Sequence, residues 1–370
     1  GKGSVGASGD LAPLAHIALC LIGEGESYYK GKLGSTKTAF KKAGLTSVSL
    51  QAKEGLALIN GTQIIQAIGL RTVIDMRRWI KVCDAAAALT LESMRGSDSP
   101  FDARVAAIRP HPGHALVAKN MRKMLEGSEI RDSHREDDDR VQDAYSLRCV
   151  PQVHGAARDG FTFVQTVFER ELNAVTDNPL LFPEDGDVIS AGNFHGQPLS
   201  QALDFLGILM AELASISERR TEQMVNPDLS NLPAFLIEGS GLNSGLMIAQ
   251  VTAAALASEN KIYAHPASVD SIPTSANKED HVSMGPTAAH KARLIFQNLR
   301  DIIAIELLAG RIALDFHRPL KAGRVVEEVV SILRKKIKPL KEDRALYKDF
   351  RTIVELVDNE SFDKALSVIE

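Results

Sequence analysis

Three consecutive residues near the start of the chain, Ala7, Ser8 and Gly9, have the chemistry to react with one another. Because glycine has no Cβ, the Gly9 amide nitrogen can approach the Ala7 carbonyl closely enough to close a five-membered ring. Loss of water from that ring and from Ser8 then leaves an alkene conjugated with a carbonyl group. The product would be an electrophile, a function that the twenty side chains lack. The tripeptide Ala-Ser-Gly is common in proteins, so only the neighbouring sequence can indicate whether it has this chemical role.

An amide, a phenol and a guanidinium follow much later, within the segment 141–155. Gln142, Tyr145 and Arg148 are spaced so that they share roughly one face if the segment is helical. Arginine can bind the α-carboxylate of an amino acid through two parallel hydrogen bonds, and the other two side chains can orient the amine and the Cβ. The ordinary alternative is a salt-bridging helix surface.

Three further side chains have ordinary structural interpretations, and one of them, Asn60, has a chemical interpretation as well. Asn60 precedes a glycine after a short predicted helix, as a C-cap does, and its amide could equally bind a ligand. Phe194 lies between glycines, where an aromatic ring usually anchors a loop. Glu279 lies in a charged stretch of the kind that ordinarily caps a helix and matches its dipole.

Helical periodicity dominates the elements that must position these groups. It predicts long helices at 11–23, 62–95, 197–226, 241–260 and 281–315, and shorter ones at 54–59, 113–125, 322–337 and 341–357. A Lys-Gly turn between polar and aromatic residues predicts one short β-hairpin around 27–33.

The pattern as a whole predicts an all-α protein, an elongated bundle of long central helices with one minor β-hairpin. We divide the chain into a loop, helix and hairpin region at 1–60, a central long-helix bundle with active-site loops at 61–320, and C-terminal helices at 321–370. Helices of this length expose apolar faces that one subunit cannot always cover, so we expect a symmetric oligomer.

The composition bears on whether the protein binds nucleic acid, a membrane or a metal. The 370 residues carry a net charge of −4, which gives no sign of a nucleic-acid partner, and no uninterrupted apolar run approaches the length of a membrane span. Cys20, Cys83 and Cys149 are widely spaced and odd in number, which favours the cytoplasm and indicates neither a disulfide framework nor a zinc site. We expect no metal, and we interpret the acidic run 136–139 as a solvated loop.

With its neighbours, the tripeptide resembles a known signature. The run Gly-Ser-Val-Gly-Ala-Ser-Gly-Asp-Leu-Ala-Pro-Leu-Ala at 3–15 is similar to that of the aromatic amino acid ammonia-lyases, whose prosthetic group is 4-methylideneimidazol-5-one (MIO). The resemblance covers 3–324 and continues in family order through four more blocks: Leu-Ile-Asn-Gly-Thr at 58–62, Gln-Asp-Ala-Tyr-Ser-Leu-Arg-Cys-Val-Pro-Gln at 142–152, Gly-Asn-Phe-His-Gly at 192–196 and Asn-Lys-Glu-Asp-His at 277–281.

The resemblance implies an activity. Histidine ammonia-lyases are similar at 277–281, with Gln-Glu-Asp-His, whereas the phenylalanine enzymes carry glutamine at the position of Glu279. The implied reaction is the non-oxidative elimination of ammonia from L-histidine to give trans-urocanate. MIO would form from Ala7-Ser8-Gly9, and no external cofactor is implied. Lys278 departs from the family, in which glutamine usually stands at this position.

The resemblance also implies roles for single residues. Arg148 would hold the substrate carboxylate and Glu279 would engage the imidazole. Asn60, Gln142 and the catalytic Tyr145 would orient the amine and the ring. Phe194 would shape the pocket.

The implied assembly is a homotetramer whose sites form where several subunits meet. The family's catalytic base is a tyrosine from a segment before Gly1, which a separate N-terminal chain could supply, and the fragment alone could be inactive. The alternatives are a phenylalanine or tyrosine ammonia-lyase, an aminomutase of the same family, or a non-catalytic helical scaffold subunit.

Overall fold

The computed structural model describes residues 2–136, 138 and 140–370. Gly1, Asp137 and Asp139 lie outside the described residues. Asp137 and Asp139 belong to the loop 136–139 that the sequence predicts to be solvated, so that prediction lies partly outside the described residues. Helices make up 61% of the chain, and only two small strand pairs accompany them in the described parts of it, which confirms the all-α class.

Fifteen α-helices follow one another along the described residues. In chain order they are α1 (Leu11–Leu21), α2 (Thr36–Ala43), α3 (Glu54–Ile59), α4 (Gln63–Ser93), α5 (Ala103–Ala107), α6 (Pro112–Met124), α7 (Glu129–Asp132), α8 (Tyr145–Arg148), α9 (Val150–Glu171), α10 (Gln197–Val225), α11 (Pro227–Ser230), α12 (Met247–Tyr263), α13 (Gly285–Asp315), α14 (Arg324–Lys336) and α15 (Tyr347–Asp358). All nine predicted helices are present, and α3 has the predicted bounds.

The 22-residue helix α9 is not among the predicted ones. Gly155 and Gly160 lower the helix propensity of its sequence, and Pro151 stands in its first turn. Phe161, Val164 and Phe168 are nevertheless buried at helical spacing. Burial of this apolar face outweighs the weak local propensity.

Two antiparallel hairpins interrupt the helices. Strands β1 (Glu26–Tyr29) and β2 (Lys32–Ser35) pair with Tyr29 opposite Lys32, so the predicted hairpin is confirmed. Strands β3 (Leu180–Phe182) and β4 (Asp187–Ile189) form a second hairpin that was not predicted. Each of its strands has only three residues, too few for an alternating pattern to stand out.

The chain forms two compact units. The first consists of Gly1–Thr72, Val164–Phe205 and His265–Arg293, and the second of Val73–Phe163, Leu206–Ala264 and Leu294–Glu370. The three-part division expected from the sequence stays a prediction.

The second unit has a dense apolar core. The rings of Trp79 and Phe296 meet edge to face, with centroids 6.3 Å apart and planes at 87°. The alanine run 85–88 of α4 is buried with them, because small side chains let neighbouring helices approach closely.

Two groups of buried charges in the second unit form ion pairs. Asp84 accepts hydrogen bonds from His154 Nδ1 at 2.8 Å and from an Arg158 nitrogen at 2.6 Å. Although burial alone would raise it, these partners hold the pKa of Asp84 below its usual value. Arg220 and Glu306, both fully buried, form a second ion pair at 2.5 Å. Pairing of this kind offsets the cost of taking charges out of water.

One helix among the described residues, α10, is long and apolar enough to cross a membrane by length and composition. In its most apolar window, 61% of the residues are buried inside the protein. Packing within the fold therefore accounts for its composition.

Candidate active site

The loop that carries Ala7, Ser8 and Gly9 lies in the first unit and is tied down on both sides. The Gly61 amide donates to the Ser8 carbonyl at 3.3 Å, and the Ser4 hydroxyl donates to the Gly9 carbonyl at 3.2 Å. Upstream, the Ser283 hydroxyl donates to the Gly6 carbonyl at 3.0 Å. Such a loop is held close to a single conformation.

The two groups that would join to close the ring stay outside this network. Among the described residues, neither the carbonyl oxygen of Ala7 nor the amide of Gly9 takes part in a hydrogen bond. Ala7 and Gly9 are both buried. Neither group therefore has a described hydrogen-bond partner that ring closure would displace.

Gly9 has a second constraint. Its φ is +83°, and a Cβ built on it would lie 2.0 Å from the carbonyl oxygen of Gly61. No side chain fits there, because the obstacle is backbone that the Asp10 amide holds through a 2.7 Å hydrogen bond to the same oxygen.

Asp10 precedes α1 at the position expected of an N-cap, but its side chain does not cap that helix. Instead, one carboxylate oxygen accepts from the amides of Ile64 and Ile65 at 3.0 and 2.8 Å, which caps the start of α4. The other oxygen accepts from Ser4 at 3.1 Å. Burial raises the pKa of Asp10 against the opposing effect of these hydrogen bonds.

Glu279 lies against the tripeptide. Its Oε1 accepts from the Ser8 hydroxyl at 2.8 Å, and its Oε2 accepts from the hydroxyls of Thr274 and Ser275, both at 2.6 Å. The hydrogen bonds from Ser275 and Thr274, with a smaller one from Ser8, lower its pKa against partial desolvation. Helix α13 begins only at Gly285, so Glu279 is not a helix cap. It is a fixed carboxylate beside Ser8.

Asn60 closes a helix through its backbone and holds a neighbouring turn through its side chain. Its amide donates to the Leu56 carbonyl at 2.9 Å and closes α3, as a C-cap does. Its side-chain nitrogen donates to Asp177 Oδ1 at 2.9 Å and to the Asn178 carbonyl at 3.3 Å. Asp177 also pairs with Lys53. Neither Asp177 nor Lys53 belongs to a block that suggested function, and the turn sequence Asp-Asn-Pro at 177–179 gave no chemical signal.

Phe194 is half-buried in a loop that is tied to the segment after Glu279. His195 Nε2 donates to the His281 carbonyl at 3.1 Å, and His195 Nδ1 accepts from the Gln197 amide at 3.3 Å. The two imidazole rings are stacked, with centroids 5.8 Å apart. The structure thus brings together the Ala7-Ser8-Gly9 loop, Asn60, Glu279 and the Phe194 loop within the first unit.

Gln142, Tyr145 and Arg148 belong to the second unit. Helix α8 contains only Tyr145–Arg148, so Gln142 precedes it and the condition of one shared helical face is not met. The Arg148 guanidinium carbon lies 4.6 Å from the centroid of the exposed Tyr145 ring, a cation–π contact. Arg148 Nε is buried without a hydrogen-bond partner in the described structure.

Comparison with known proteins decides the family. The family model described as aromatic amino acid lyase matches residues 1–335. The chain belongs to the aromatic amino acid lyase family. A curated relative of this lyase, the histidine ammonia-lyase of Caldanaerobacter subterraneus subsp. tengcongensis, is 53% identical over 365 residues, which are 99% of this chain and 72% of the relative. The histidine ammonia-lyase of Alkaliphilus oremlandii is 53% identical over 96% of this chain and 70% of its own length.

Solved structures agree with this assignment. The histidine ammonia-lyase of Trypanosoma cruzi superposes with a TM-score of 0.92 at 44% identity, covering 99% of this lyase and 69% of that chain. A tyrosine aminomutase of Streptomyces globisporus gives a TM-score of 0.91 at 35% identity, covering 99% and 73%. Together the relatives identify this aromatic amino acid lyase as an ammonia-lyase enzyme.

Proposed function

We propose that the protein eliminates ammonia from L-histidine to give trans-urocanate, with MIO formed from Ala7-Ser8-Gly9 as its electrophile. The observation that carries the proposal is the hydrogen bond from Ser8 to Glu279. It places a carboxylate that is ionised at neutral pH next to the tripeptide. The histidine ammonia-lyases among the relatives support the same substrate.

The tripeptide fits the prosthetic group. Ring closure would join the Gly9 nitrogen to the Ala7 carbonyl carbon and expel the Ala7 oxygen as water. Ser8 would then lose its Cα hydrogen and its hydroxyl as a second water, with no oxidant or reductant. The unpaired Ala7 carbonyl and Gly9 amide support this step, because no hydrogen bond must break first. Once formed, the group supplies an electrophilic carbon that converts the substrate amine into a better leaving group.

Formation of the group would also free an acceptor for the substrate. When Ser8 loses its hydroxyl, Glu279 Oε1 loses the donor that now satisfies it at 2.8 Å. Thr274 and Ser275 still hold Oε2, so the carboxylate keeps its place. An imidazole N–H is a suitable replacement donor, whereas an apolar phenyl ring would leave a desolvated carboxylate unpaired.

The other residues would bind and orient the amino acid. Arg148 would hold the α-carboxylate through its forked donors, and Tyr145 and Gln142 would contact the amine and Cβ. Asn60 would accept from an N–H group, and Phe194 would shape the pocket. Exclusion of bulk water from the reacting atoms also requires a closed site, which several subunits would provide.

We further propose a homotetramer located in the cytoplasm. Exposed apolar side chains on α12, at Ile248, Val251 and Ile262, support burial against another subunit.

An aminomutase is the second candidate, because the Streptomyces globisporus tyrosine aminomutase resembles this chain at 35% identity. Glu279 favours histidine over tyrosine as the substrate. Assays by ultraviolet absorbance and product chromatography with L-histidine, L-phenylalanine and L-tyrosine separate the candidates. Formation of a β-amino acid, or of cinnamate without urocanate, would refute histidine deamination.

Intact-mass measurement of the protein expressed from its complete gene tests the prosthetic group. We expect a deficit of two water molecules that localises to the peptide containing residues 7–9, and Ser8→Ala should restore the mass of an unmodified chain. An unmodified wild-type mass together with no turnover would favour the scaffold alternative.

A further inference from the structure

We infer that Asp177, held by Lys53, is a positioning residue that fixes the side-chain amide of Asn60 with its oxygen as the available acceptor. The inference rests on the proposed function, because that function gives the Asn60 oxygen a ligand. All three residues lie in the first unit.

The partners of Asn60 determine which way its amide points. Its nitrogen donates to a carboxylate oxygen of Asp177 and to the backbone carbonyl of Asn178, at 2.9 and 3.3 Å. With Asp177 ionised, both partner oxygens are acceptors only, and neither has a proton to donate. A reversed amide would place its oxygen against two acceptors and lose both hydrogen bonds. Both donors of the Asn60 nitrogen therefore have acceptors, and the oxygen Oδ1 remains without a hydrogen-bond donor.

That leftover oxygen is itself unusual. Asn60 Oδ1 is buried and accepts no hydrogen bond from any described residue. An unsatisfied buried acceptor is energetically unfavourable, so a fold retains one chiefly where a ligand satisfies it. Asn60 directly precedes Gly61, whose amide is bonded to Ser8. The chemistry that fits is an N–H or ammonium donor beside the tripeptide, such as the amine of an amino acid.

Asp177 is built to remain a carboxylate. Its Oδ1 accepts from Asn60 and, at 2.7 Å, from the Asn178 amide, and its Oδ2 pairs with the Lys53 ammonium. Although partial desolvation opposes them, these donors hold the pKa of Asp177 below its usual value. A group that stays ionised never offers a proton to the Asn60 oxygen, so it cannot reverse the amide.

Lys53 and Asn60 stand at the two ends of the six-residue helix α3. Lys53 precedes the helix in a left-handed conformation with φ of 69°, and Asn60 ends it. The Asp177 carboxylate therefore bridges both ends of one helical segment. This arrangement fixes the position of Asn60 as well as the direction of its amide.

A double-mutant cycle distinguishes positioning from general support of the fold. The variants are Asp177→Asn, Asn60→Ala and their combination, each made in the protein expressed from its complete gene. Asparagine at 177 keeps the shape, loses the charge and can donate to Asn60, so the amide is free to reverse. Asp187→Asn, an exposed change at the start of β4, is the matched control.

Two readouts are needed. The first is kcat and KM for whichever amino acid the wild type deaminates. The second is the affinity for that amino acid by calorimetry in a Ser8→Ala background, which lacks the electrophile and does not depend on turnover. Intact mass checks that the two waters are still lost in the variants that retain Ser8.

We expect Asp177→Asn to lower kcat/KM by about 10–100-fold, as loss of an orienting partner does, and to weaken binding in the Ser8→Ala background. In the Asn60→Ala background the same change should alter either quantity by less than about twofold, because the residue it orients is gone. Lys53→Gln should show the same dependence on Asn60 with a smaller loss. Asp187→Asn should behave as wild type.

Equal losses from Asp177→Asn with and without Asn60 would overturn the inference while leaving the proposed function intact. A wild type that binds and deaminates none of the three aromatic amino acids would overturn the proposed function, and the inference with it.

Discussion

Ser8 and Glu279 are 271 residues apart in the chain, yet the serine hydroxyl donates a 2.8 Å hydrogen bond to the glutamate carboxylate. The contact joins the loop that we propose forms the electrophile to the side chain that we propose discriminates between substrates. Thr274 and Ser275 fix the other carboxylate oxygen, so the position of Glu279 does not depend on Ser8 alone.

Glu279→Gln should raise KM for L-histidine. A hydrogen bond to a charged group is worth about 1.5–3 kcal/mol, which corresponds to an increase of about 10–150-fold. Steady-state kinetics followed by urocanate absorbance measure the effect, and Asp280→Asn, an exposed neighbour, is the control. An unchanged KM in Glu279→Gln would show that the carboxylate does not bind the imidazole.

Gly9→Ala should abolish the two-water mass deficit, because the added Cβ would lie 2.0 Å from the Gly61 carbonyl oxygen. Gly31→Ala is a matched control, since Gly31 has a similar φ of +77° but a Cβ added there would meet no atom within 4 Å. The control should cost only about 1 kcal/mol of backbone strain and keep the deficit. A normal deficit in Gly9→Ala would mean that the loop has room that the structure does not show.

Glu92 should make stability pH-dependent. Burial raises the pKa of this carboxyl from 4.5 to about 7, against hydrogen bonds from Ser128 and the Gly323 amide. Between these values the folded state holds a proton that the unfolded chain has released, so the free energy of unfolding falls as pH rises. The total change attributable to Glu92 is about 3 kcal/mol, complete above the folded pKa.

Urea denaturation of wild type and Glu92→Gln at pH 5, 6, 7 and 8 isolates this contribution. Relative to the variant, the wild type should lose stability steadily from pH 5 to pH 8. Glu328→Gln, an exposed change on helix α14, which begins directly after Gly323, should not alter the slope. Parallel curves for wild type and Glu92→Gln would contradict the raised pKa.

Arg220→Ala should destabilise the second unit by about 3–5 kcal/mol, because it leaves the buried Glu306 carboxylate without its cation. The double variant Arg220→Met/Glu306→Leu should cost less, since it removes both charges and keeps most of the volume. Denaturant midpoints give the comparison. If the double variant were as unstable as Arg220→Ala, packing rather than charge would explain the loss.

Much of the architecture follows from local sequence. Apolar residues at a period of 3.6 placed the nine predicted helices, and α3 ended at Asn60 as its Asn-Gly sequence indicated. Helix α9 was not predicted, because its glycines lower the local helix propensity and its apolar face becomes evident only from its packing in the fold. The second hairpin was not predicted, because strands of three residues are too short to show the alternation of apolar and polar residues.

The sequence by itself determined the fold class and the family and singled out the tripeptide that we propose reacts, because helical periodicity and contiguous motifs are local and need no knowledge of distant partners. Only the tertiary structure decided that Asp10 caps α4 instead of α1, that Asp177 directs the Asn60 amide, and that Glu279 lies against Ser8. The physical reason is that a buried polar group takes whichever donor or acceptor the fold brings within about 3 Å, and that choice is not encoded in the spacing of residues along the chain.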